Sequence, residues 1–399
     1  MIGTYEGVGT RSLDGLRGRT GRLPLPGVEG GSWSSIAMMN SVVADDLALI
    51  RGQLGETDRF SGAVVLVTGC GGFLGFYLLQ YLVRHGAELG VRKVIGLDSF
   101  LVHRPSWLED LQQEFPHLLE VRRFDISRDR IEAVDAADQA SFVIHMASIA
   151  SPTFYRQFPL ETIDANVWGL RGLLDFYRGS DRLQGFLFFS SSEIYGDPPP
   201  GSIPTPESYR GNVSCLGPRA CYDESKRFGE TLCQVFAGTH GMPLRVVRPF
   251  NNYGPGLRLD DRHLPADFAK AVLEDRDIVI LSDGRPTRTF CYVADAVAGY
   301  LKALLHGAFD CFNIGRDRPE IAVRDVAEVY RRAAGELFAY KGAVRYEPSA
   351  DPDYLADNPG RRCPVIDKAR RALGFEPQVG LEEGVRRYLR FLRPEAARA

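Results

Sequence analysis

A tyrosine and a lysine stand four residues apart, at Tyr222 and Lys226, in a segment with helical periodicity. Side chains at this spacing lie on the same face of a helix, so the lysine ammonium can approach the tyrosine hydroxyl. A nearby cation lowers the pKa of a phenol because it favours the phenolate, and the tyrosine can then act as a base. By itself the spacing is common and usually marks a solvated helix face, so the surrounding sequence decides its meaning.

A run of serines followed by a glutamate is the second group that could do chemistry. Ser190, Ser191 and Ser192 come directly after an apolar, strand-like run, and Glu193 follows them. In parallel sheets, ligands bind at the carboxyl ends of the strands, where this run ends. The hydroxyl of Ser191 could hydrogen-bond a substrate hydroxyl that is being oxidised, and Glu193 could reach the same sugar. The alternative is that these serines only begin a turn.

Three glycines, Gly69, Gly72 and Gly75, lie between a β-branched run and a helical run. In a dinucleotide-binding turn the first permits the tight turn, the second lets the backbone approach a pyrophosphate, and the third lets helix and strand pack closely. Asp98 ends the next strand-like run, where a carboxylate holds a ribose diol and repels a 2′-phosphate, so NAD is predicted as the cofactor. A helix cap is the alternative for Asp98. Asp125 is a weaker candidate for the adenine edge and could equally be a turn residue.

Strand-like and helical segments alternate over residues 61–250, which is typical of βαβ units with a parallel sheet covered on both faces. Strands are predicted over 63–68, 93–97, 119–123, 141–145, 185–190 and 243–248, with helices over 74–84, 105–114, 160–178 and 222–239. Residues 251–395 mix helices over 264–274, 293–306, 322–336 and 381–393 with short strands over 277–281 and 310–313. We predict an α/β protein: a Rossmann-type doubly wound parallel sheet, interleaved with a smaller C-terminal α/β substrate-binding domain.

The first 60 residues form an extension of a different character. Residues 1–33 are rich in Gly, Arg, Ser and Pro without an apolar period, which predicts a disordered tail. Residues 36–54 have the pattern of an amphipathic helix, which we expect to pack on the body or on a partner subunit.

Composition and charge exclude several classes of protein. The 399 residues carry 48 Lys+Arg and 51 Asp+Glu, and a net charge of -3 argues against nucleic acid as a partner. The seven scattered cysteines lack a C-x-x-C pair and no metal-ligand spacing occurs, so we predict no disulfide framework, no metal and a reducing cytoplasm. The uncharged stretch over 60–83 is long enough for a bilayer, but its glycines predict a strand, a turn and a helix, with no membrane as partner. His145 is predicted to be buried and hydrogen-bonded.

Four longer stretches carry a family resemblance. They are HMASIASP at 145–152, SEIYGDP at 192–198, GPRACYDESKR at 217–227 and RTFCYV at 288–293. Together with the glycine turn, and in this order, they make residues 61–393 resemble the extended short-chain dehydrogenase/reductase family of nucleotide-sugar enzymes. Within that family the chain is most similar to the branch that decarboxylates UDP-glucuronate. The stretch at 217–227 is much more specific than a tyrosine and a lysine at helical spacing.

The resemblance implies a role for each matching residue. Tyr222 would remove the proton of the sugar C4 hydroxyl, Lys226 would tune Tyr222 and hold the nicotinamide ribose, and Ser191 would orient the hydroxyl. Glu193 and Arg288 would position the substrate carboxylate and assist reprotonation. The expected catalytic residues are Ser191, Glu193, Tyr222, Lys226 and Arg288. The expected cofactor-binding residues are Gly69, Gly72, Phe73, Leu74, Gly75, Asp98, Asp125, Ile126, Ala147, Asn166, Tyr222 and Lys226. The expected substrate-binding residues are Ser151, Ser192, Asn251, His263, Arg288 and Arg362.

The implied reaction oxidises C4 of a UDP-uronate with NAD, releases CO2 from the 4-keto intermediate and returns the hydride, which gives a UDP-pentose such as UDP-xylose. Family dehydratases have Asp-Glu where this chain has Ser192 and Glu193, and a serine is a poor proton donor to a leaving hydroxyl. Two alternatives stay open: a nucleotide-sugar 4-epimerase or 4,6-dehydratase that shares the oxidation step, and a non-catalytic NAD-binding scaffold that binds a partner through 36–54. The intact set of Ser191, Tyr222 and Lys226 argues against the scaffold.

Two positions depart from the family pattern in the region that reads the nucleotide. Leu281 stands where the family has a tyrosine. The family's D-G-R stretch reads Asp261-Arg262-His263, so the phosphate-contacting arginine is either shifted or replaced by His263. The nucleobase and the configuration of the sugar therefore stay open. Because family members commonly pair through two long helices, the resemblance also implies a homodimer.

Overall fold

The computed structural model describes residues 40–349 and 358–393, all of which belong to one compact unit. The disordered tail predicted over 1–33 and the beginning of the helix predicted over 36–54 lie outside the described residues. The described part of that helix begins at Ser41 and ends at Leu54. The division into domains at residue 250 stays a prediction.

The strands of the described residues are named in chain order. They are β1 (Val64–Thr68), β2 (Lys93–Asp98), β3 (Leu119–Arg123), β4 (Ala140–His145), β5 (Gly185–Phe189), β6 (Leu244–Pro249), β7 (Asn252–Tyr253), β8 (Ile278–Ile280), β9 (Thr287–Arg288), β10 (Cys291–Tyr292), β11 (Cys311–Ile314), β12 (Ile321–Ala322), β13 (Val344–Tyr346) and β14 (Arg361–Arg362). Seven of them form one sheet in the order β11-β6-β5-β4-β1-β2-β3, and every pair in it is parallel.

The helices are named in the same way. They are α1 (Ser41–Leu54), α2 (Phe73–Arg84), α3 (Gly86–Leu89), α4 (Ser106–Glu114), α5 (Pro152–Gln157), α6 (Pro159–Ile163), α7 (Leu170–Tyr177), α8 (Ala220–His240), α9 (Leu264–Leu273), α10 (Val293–Leu304), α11 (Val323–Phe338), α12 (Asp367–Leu373) and α13 (Leu381–Leu392).

The central sheet is buried on both faces, which explains its near-continuous apolar strands. All five residues of β1 are buried. Val65 and Val67 pack into one core with α2 and α10, whereas Val64 and Leu66 pack into a second core with α7 and α8. The strand order reverses between β1 and β4, and ligands of such sheets bind at the carboxyl ends of the strands beside this reversal. The predicted Rossmann-type fold is therefore confirmed.

The structure differs from the predicted elements in two informative places. The helix predicted over 160–178 is divided, because residues Asp164–Gly169 form a π-helix between α6 and α7. A π-helical turn is often associated with function, and this one contains Asn166. In addition, β11 completes the central sheet rather than belonging only to a separate C-terminal sheet, because it pairs in parallel with β6.

The short strands β7 to β10, β12 and β14 follow β6 in the chain and lie outside the central sheet. They pair across long sequence separations. The strand β7 pairs with β10, while β9 pairs with both β12 and β14. The uncharged stretch over 60–83 consists of β1, the glycine turn and α2. Within residues 40–349 and 358–393 no helix is long and apolar enough to cross a membrane.

Candidate active site

The glycine turn lies between β1 and α2, at the point where the strand order reverses. Gly69 has a φ of 71°, and a Cβ placed on it would lie 2.7 Å from the backbone nitrogen of Ala147. A Cβ on Gly75 would lie 2.2 Å from the carbonyl oxygen of Cys70. Side chains are therefore excluded at both positions, and the free N–H groups at the start of α2 face the turn, as Phe73 and Leu74 are its first residues. This cradle fits a dinucleotide pyrophosphate.

We expect the substitution Gly75→Ala to lower the free energy of unfolding by about 2 kcal/mol, the usual size of an overpacking penalty. The backbone at Cys70 would have to move away from the new methyl group, so NADH should also bind more weakly. Urea unfolding and NADH titration measure both effects. Gly52→Ala, in α1, is the matched control because a Cβ there meets nothing within 4 Å. Equal behaviour of the two variants would contradict the prediction.

Asp98 ends β2 with its carboxylate held beside the glycine turn. The Gly71 N–H donates to Oδ2 at 2.9 Å, and the Phe100 N–H donates to Oδ1 at 2.8 Å. Burial raises the pKa of Asp98, while these two hydrogen bonds lower it. Asp98 does not cap a helix, since α2 is capped by Gly72 and α4 by Pro105. Its place fits the predicted contact with a ribose diol.

Asp125 and Ile126 follow β3 in a tight turn. The Ser127 N–H and hydroxyl both donate to Oδ1 of Asp125, at 3.0 Å and 2.7 Å. This carboxylate therefore closes its own turn, and its contact with adenine stays a prediction. Ile126 packs on the π-helix, because a Cβ on Gly169 would lie 2.8 Å from its Cγ2 atom.

Asn166 connects the π-helix to the helix that carries Tyr222. Its Nδ2 group donates to Oγ of Ser225 at 2.9 Å, and this hydroxyl donates to the carbonyl of Tyr222 at 3.0 Å. The Oδ1 atom of Asn166 is buried and has no partner among the described residues. An unpaired buried carbonyl oxygen of this kind is suited to accept a hydrogen bond from a bound ligand.

His145 ends β4 at the strand reversal and is buried, as predicted. Its Nδ1 atom lies 2.7 Å from Oγ1 of Thr68, and the same Oγ1 accepts the N–H of Ala147 at 3.2 Å. The Thr68 hydroxyl can donate to Nδ1 or accept from it, so this contact allows either neutral tautomer of His145. Burial lowers the pKa of His145 to about 3, and the Lys226 cation lowers it further in the same direction.

We expect His145 to make the stability of the protein depend on pH. The folded protein keeps the ring neutral, while the unfolded chain binds a proton near pH 6.5. The stability that this residue provides is therefore complete above pH 6.5 and is lost as the pH falls toward 3. From pH 6.5 to about pH 5 the loss should be about 2 kcal/mol. The free energy of unfolding, measured with urea across this range, should fall less steeply with pH for His145→Gln than for the wild type. The exposed control His117→Gln should behave as the wild type, and equal pH dependence of the two variants would contradict this.

Ser191, Tyr222 and Lys226 come together at the carboxyl end of β5. The Ser191 hydroxyl lies beside the Tyr222 hydroxyl and lowers its pKa, and it also accepts the N–H of Glu193 at 3.2 Å. The Lys226 ammonium donates to the carbonyl of Phe189 at 2.8 Å and lies 5.8 Å from the centre of the Tyr222 ring. Burial raises the pKa of Tyr222, whereas the Ser191 hydrogen bond and the Arg219 cation lower it. Burial lowers the pKa of Lys226 to about 7. The expected lowering of the Tyr222 pKa by Lys226 was therefore wrong for this structure: the pKa is raised, and Lys226 is directed to the carbonyl of Phe189 instead.

Glu193 is held between arginines from distant parts of the chain. Its two carboxylate oxygens accept from Nη1 and Nη2 of Arg362 at 2.5 Å and 2.6 Å, and Arg219 also pairs with it. Burial opposes ionisation of Glu193, but the cations of Arg362, Arg219 and Arg288 outweigh it and lower its pKa to about 2. Glu193 is therefore held as an anion at neutral pH.

Arg288 lies beside Arg362 because β9 and β14 are paired in register. Its guanidinium donates to the carbonyls of Thr287, Pro359 and Gly360 and to the side chain of Asn358. Burial lowers its pKa to about 9, and the neighbouring Arg362 cation acts in the same direction. The residues directly before β14, together with the carbonyl of Thr287, thus hold a buried cation in place.

Three residues without an expected role also belong to this group. Arg219 precedes Tyr222 by one helical turn and binds Glu193. Asp223 is buried, and its Oδ2 atom lies 3.7 Å from Nε of Arg219; burial and Glu193 raise its pKa to about 7. Tyr155 stacks on Tyr222 with ring centres 5.2 Å apart. Helical spacing could have indicated Arg219 and Asp223, whereas nothing local in the sequence indicates Tyr155.

The predicted substrate residues are distributed around this cluster. Ser192 is buried directly before Glu193. His263 begins α9 near Glu193 and Arg219, and burial lowers its pKa. The hydroxyl of Ser151 donates to the carbonyl of Asp261 at 2.9 Å, which holds the loop before His263.

Asn251 and Leu281 lie on either side of the short strands. Asn251 has a φ of 40°, and its Nδ2 group donates to the carbonyl of Thr289 at 2.9 Å. It therefore joins the segment that carries Arg288. Leu281 follows β8 and is half-buried. All seven cysteines lie in the described ranges as free thiols, and no cluster of ligands for a metal ion occurs among the residues of those ranges.

Comparison with known proteins gives one consistent family. The model of the NAD dependent epimerase/dehydratase family matches residues 65–315. UDP-glucuronic acid decarboxylase 1 of Arabidopsis thaliana is 33% identical over 324 residues, which cover 81% of this chain and 68% of that relative. UDP-glucuronic acid decarboxylase 3 of the same plant is 33% identical, over 80% of this chain and 86% of that relative.

Solved structures agree with this fold. The UDP-glucose 4-epimerase of Thermotoga maritima, solved with UDP-glucose, has a TM-score of 0.71 and 26% identity, covering 83% of this chain and 98% of that one. The UDP-glucuronic acid 4-epimerase of Bacillus cereus, in complex with UDP-glucuronic acid and NAD, has a TM-score of 0.68 and 24% identity, covering 82% and 98%. In the chain described here, the glycine cradle and Asp98 fit NAD, and NAD is its cofactor. The chain belongs to the NAD-dependent epimerase/dehydratase family.

Proposed function

We propose that this enzyme is a nucleotide-sugar decarboxylase that converts a UDP-uronate, UDP-glucuronate, to a UDP-pentose, UDP-xylose. The observation that carries the proposal is the group of three buried arginines, Arg219, Arg288 and Arg362, around Glu193. These three cations outnumber the one strongly acidic carboxylate of the group. A buried charge is stable only when an opposite charge pairs with it. A uronate carboxylate supplies the missing negative charge. The names of the curated relatives support the same substrate.

The first step is oxidation of the sugar at C4. Tyr222 removes the proton of the C4 hydroxyl, and Ser191, beside Tyr222, orients that hydroxyl. Lys226, which the carbonyl of Phe189 holds, is proposed to bind the nicotinamide ribose. When bound, NAD accepts a hydride from C4 and returns it at the end of the cycle.

The second step is loss of CO2 from the 4-keto uronate. A carboxylate β to a ketone leaves readily because its electrons flow into an enolate. Arg288 is proposed to bind this carboxylate and to assist the proton that returns to the sugar, while Glu193 contributes by holding Arg362 and Arg219 beside it. Ser192, in place of an aspartate, lacks the acidity needed to expel a hydroxyl as a dehydratase does.

Incubation with UDP-glucuronate and NAD, followed by mass spectrometry, tests the proposal. We expect a product lighter by one CO2, and product formation about 10³-fold slower from Tyr222→Phe. A product of unchanged mass with altered stereochemistry would instead show a 4-epimerase, the activity named in the structure from Bacillus cereus. Loss of water would show a dehydratase. Parallel assays with other nucleoside diphosphate uronates test the effect of Leu281 and His263 on the nucleobase.

We also propose that the enzyme is a homodimer that pairs through α8 and the helices beside it. Three large apolar side chains are exposed by about half or more: Trp168, Phe228 and Val235. Phe228 and Val235 lie on the same face of α8. Such a patch on adjacent helices is typical of an interface. Trp168→Glu should therefore give a monomer in analytical ultracentrifugation, whereas Tyr346→Glu, at an exposed aromatic residue elsewhere, should not. A monomeric wild type would overturn this.

A further inference from the structure

Helix α1 precedes the residues that the family model matches, yet it is built into the body of the enzyme. Its apolar side chains Val42, Val43, Leu47 and Ile50 are buried in the main core. Asn40 caps its first turn by accepting the N–H of Val42 at 2.9 Å. This helix therefore packs against the enzyme as a permanent element rather than as a loose arm.

A buried carboxylate on α1 joins three other elements. Asp46 is fully buried, and its Oδ2 atom accepts from the hydroxyls of Tyr77 at 2.5 Å and Tyr292 at 2.6 Å. Its Oδ1 atom accepts from Nη1 of Arg387 at 2.8 Å. Tyr77 belongs to α2, Tyr292 to β10 and Arg387 to α13. Burial raises the pKa of Asp46 to about 6, although all three hydrogen bonds lower it.

The first of these elements, α2, begins at the glycine cradle. Tyr77 stands one helical turn after the start of α2 at Phe73, so its hydroxyl fixes the helix that faces the pyrophosphate. The third element, α13, supports the same place from outside: the Tyr388 hydroxyl donates to the carbonyl of Leu257 at 3.0 Å. The neighbouring Gly256 packs on Phe73, with room for no side chain.

The second element, β10, belongs to the substrate side. The strands β10 and β7 are paired, and the Cys291 N–H donates to the carbonyl of Asn251 at 3.2 Å. Asn251 in turn binds the carbonyl of Thr289, the residue after Arg288. The hydroxyl of Tyr292 thus anchors the strand pair whose other end carries Asn251 and the segment of Arg288.

We propose that Asp46 is a positioning residue, through which α1 holds the cofactor helix α2 and the substrate strands β7 and β10 at the spacing that hydride transfer requires. The cofactor half of this inference depends only on NAD as cofactor. The substrate half rests on the proposed function.

The helix has a second anchor that keeps it docked when Asp46 is changed. Nε2 of Gln53 donates to Oδ1 of Asp295 at 2.5 Å, and Asp295 also accepts the N–H groups of Gln378 and Val379. Together with the apolar face, this contact lets variants at Asp46 retain α1 in place. A change in ligand binding can then be separated from loss of the helix.

The test uses the full chain with Asp46→Leu and Asp46→Asn, and with Asp45→Asn, an exposed neighbour, as the matched control. We expect Asp46→Leu to raise the Kd for NADH about fivefold, within the range of residues that act without touching the ligand. Asp46→Asn, which still accepts hydrogen bonds but does not pair with Arg387, should have a smaller effect. Asp45→Asn should match the wild type.

Single hydroxyl deletions separate positioning from stability. Tyr77→Phe should mainly raise the Kd for NADH, whereas Tyr292→Phe should mainly raise the KM for UDP-glucuronate. If Asp46→Leu fails to fold, these two variants still decide the matter. Lower melting temperatures with unchanged Kd and KM would overturn the proposal, since that is what a merely structural role predicts. If the wild type does not turn over UDP-glucuronate, the proposed function fails, while the NADH titrations still test Asp46.

Discussion

Replacement of Tyr222 with phenylalanine is expected to lower kcat by about 10³-fold, within the range for loss of a general base. Ser191 lies beside the phenol but is itself a very weak base, and Lys226 donates to the carbonyl of Phe189, so neither replaces the lost base. Binding of NADH should change little, because the ring remains stacked on Tyr155. Steady-state kinetics and NADH titration measure the two effects separately.

Tyr177→Phe is the matched control for this variant. Tyr177 is also buried, and its hydroxyl donates to the carbonyl of Ala137 at 2.7 Å in the second core, away from the glycine turn. Its loss should reduce stability by about 1 kcal/mol, as for one hydrogen bond, with kcat unchanged. If Tyr222→Phe retained the turnover of the wild type, the assigned base would be wrong.

The substitution Glu193→Gln is expected to lower the free energy of unfolding by about 3 kcal/mol, because removal of one partner leaves buried charge without compensation. Arg219 and Arg362 both lose their carboxylate partner, and Asp223, 3.7 Å from Arg219, is the remaining acidic group for three neighbouring cations. Turnover of UDP-glucuronate should also fall, since the arginines are no longer held in position. Addition of UDP-glucuronate should restore part of the stability, because its carboxylate enters the same group of cations.

Glu230→Gln separates the site from the general effect of a broken ion pair. Glu230 binds Arg248 through both oxygens at 2.8 Å and 2.6 Å, and this pair is as buried as that of Glu193 and Arg362. We expect a similar loss of stability with normal turnover and no recovery on addition of UDP-glucuronate. Chemical unfolding with and without the nucleotide sugar provides the comparison. If UDP-glucuronate restored the stability of both variants, or of neither, a carboxylate-binding site at Glu193 would be contradicted.

Short-range patterns in the sequence predicted most of the fold. The strands from β1 to β6 and the helices α2, α4 and α8 begin and end within two residues of their predicted limits, because apolar periodicity and the glycines record local backbone geometry and burial. The π-helix was missed, since its i to i+5 bonding leaves no periodic signal of its own. The short helices α3, α5 and α12 were missed because so few residues show no period.

By itself, the sequence determined the Rossmann-type sheet, the glycine turn with Asp98, and the helical spacing of Tyr222 and Lys226. Only the tertiary structure decided how the charges are paired: Glu193 meets Arg362 across 169 positions of the chain, and Asp46 meets Arg387 across 341. The reason is physical. Periodicity reports which face of an element is buried, whereas the partner of a buried charge depends on which elements the folded chain brings together.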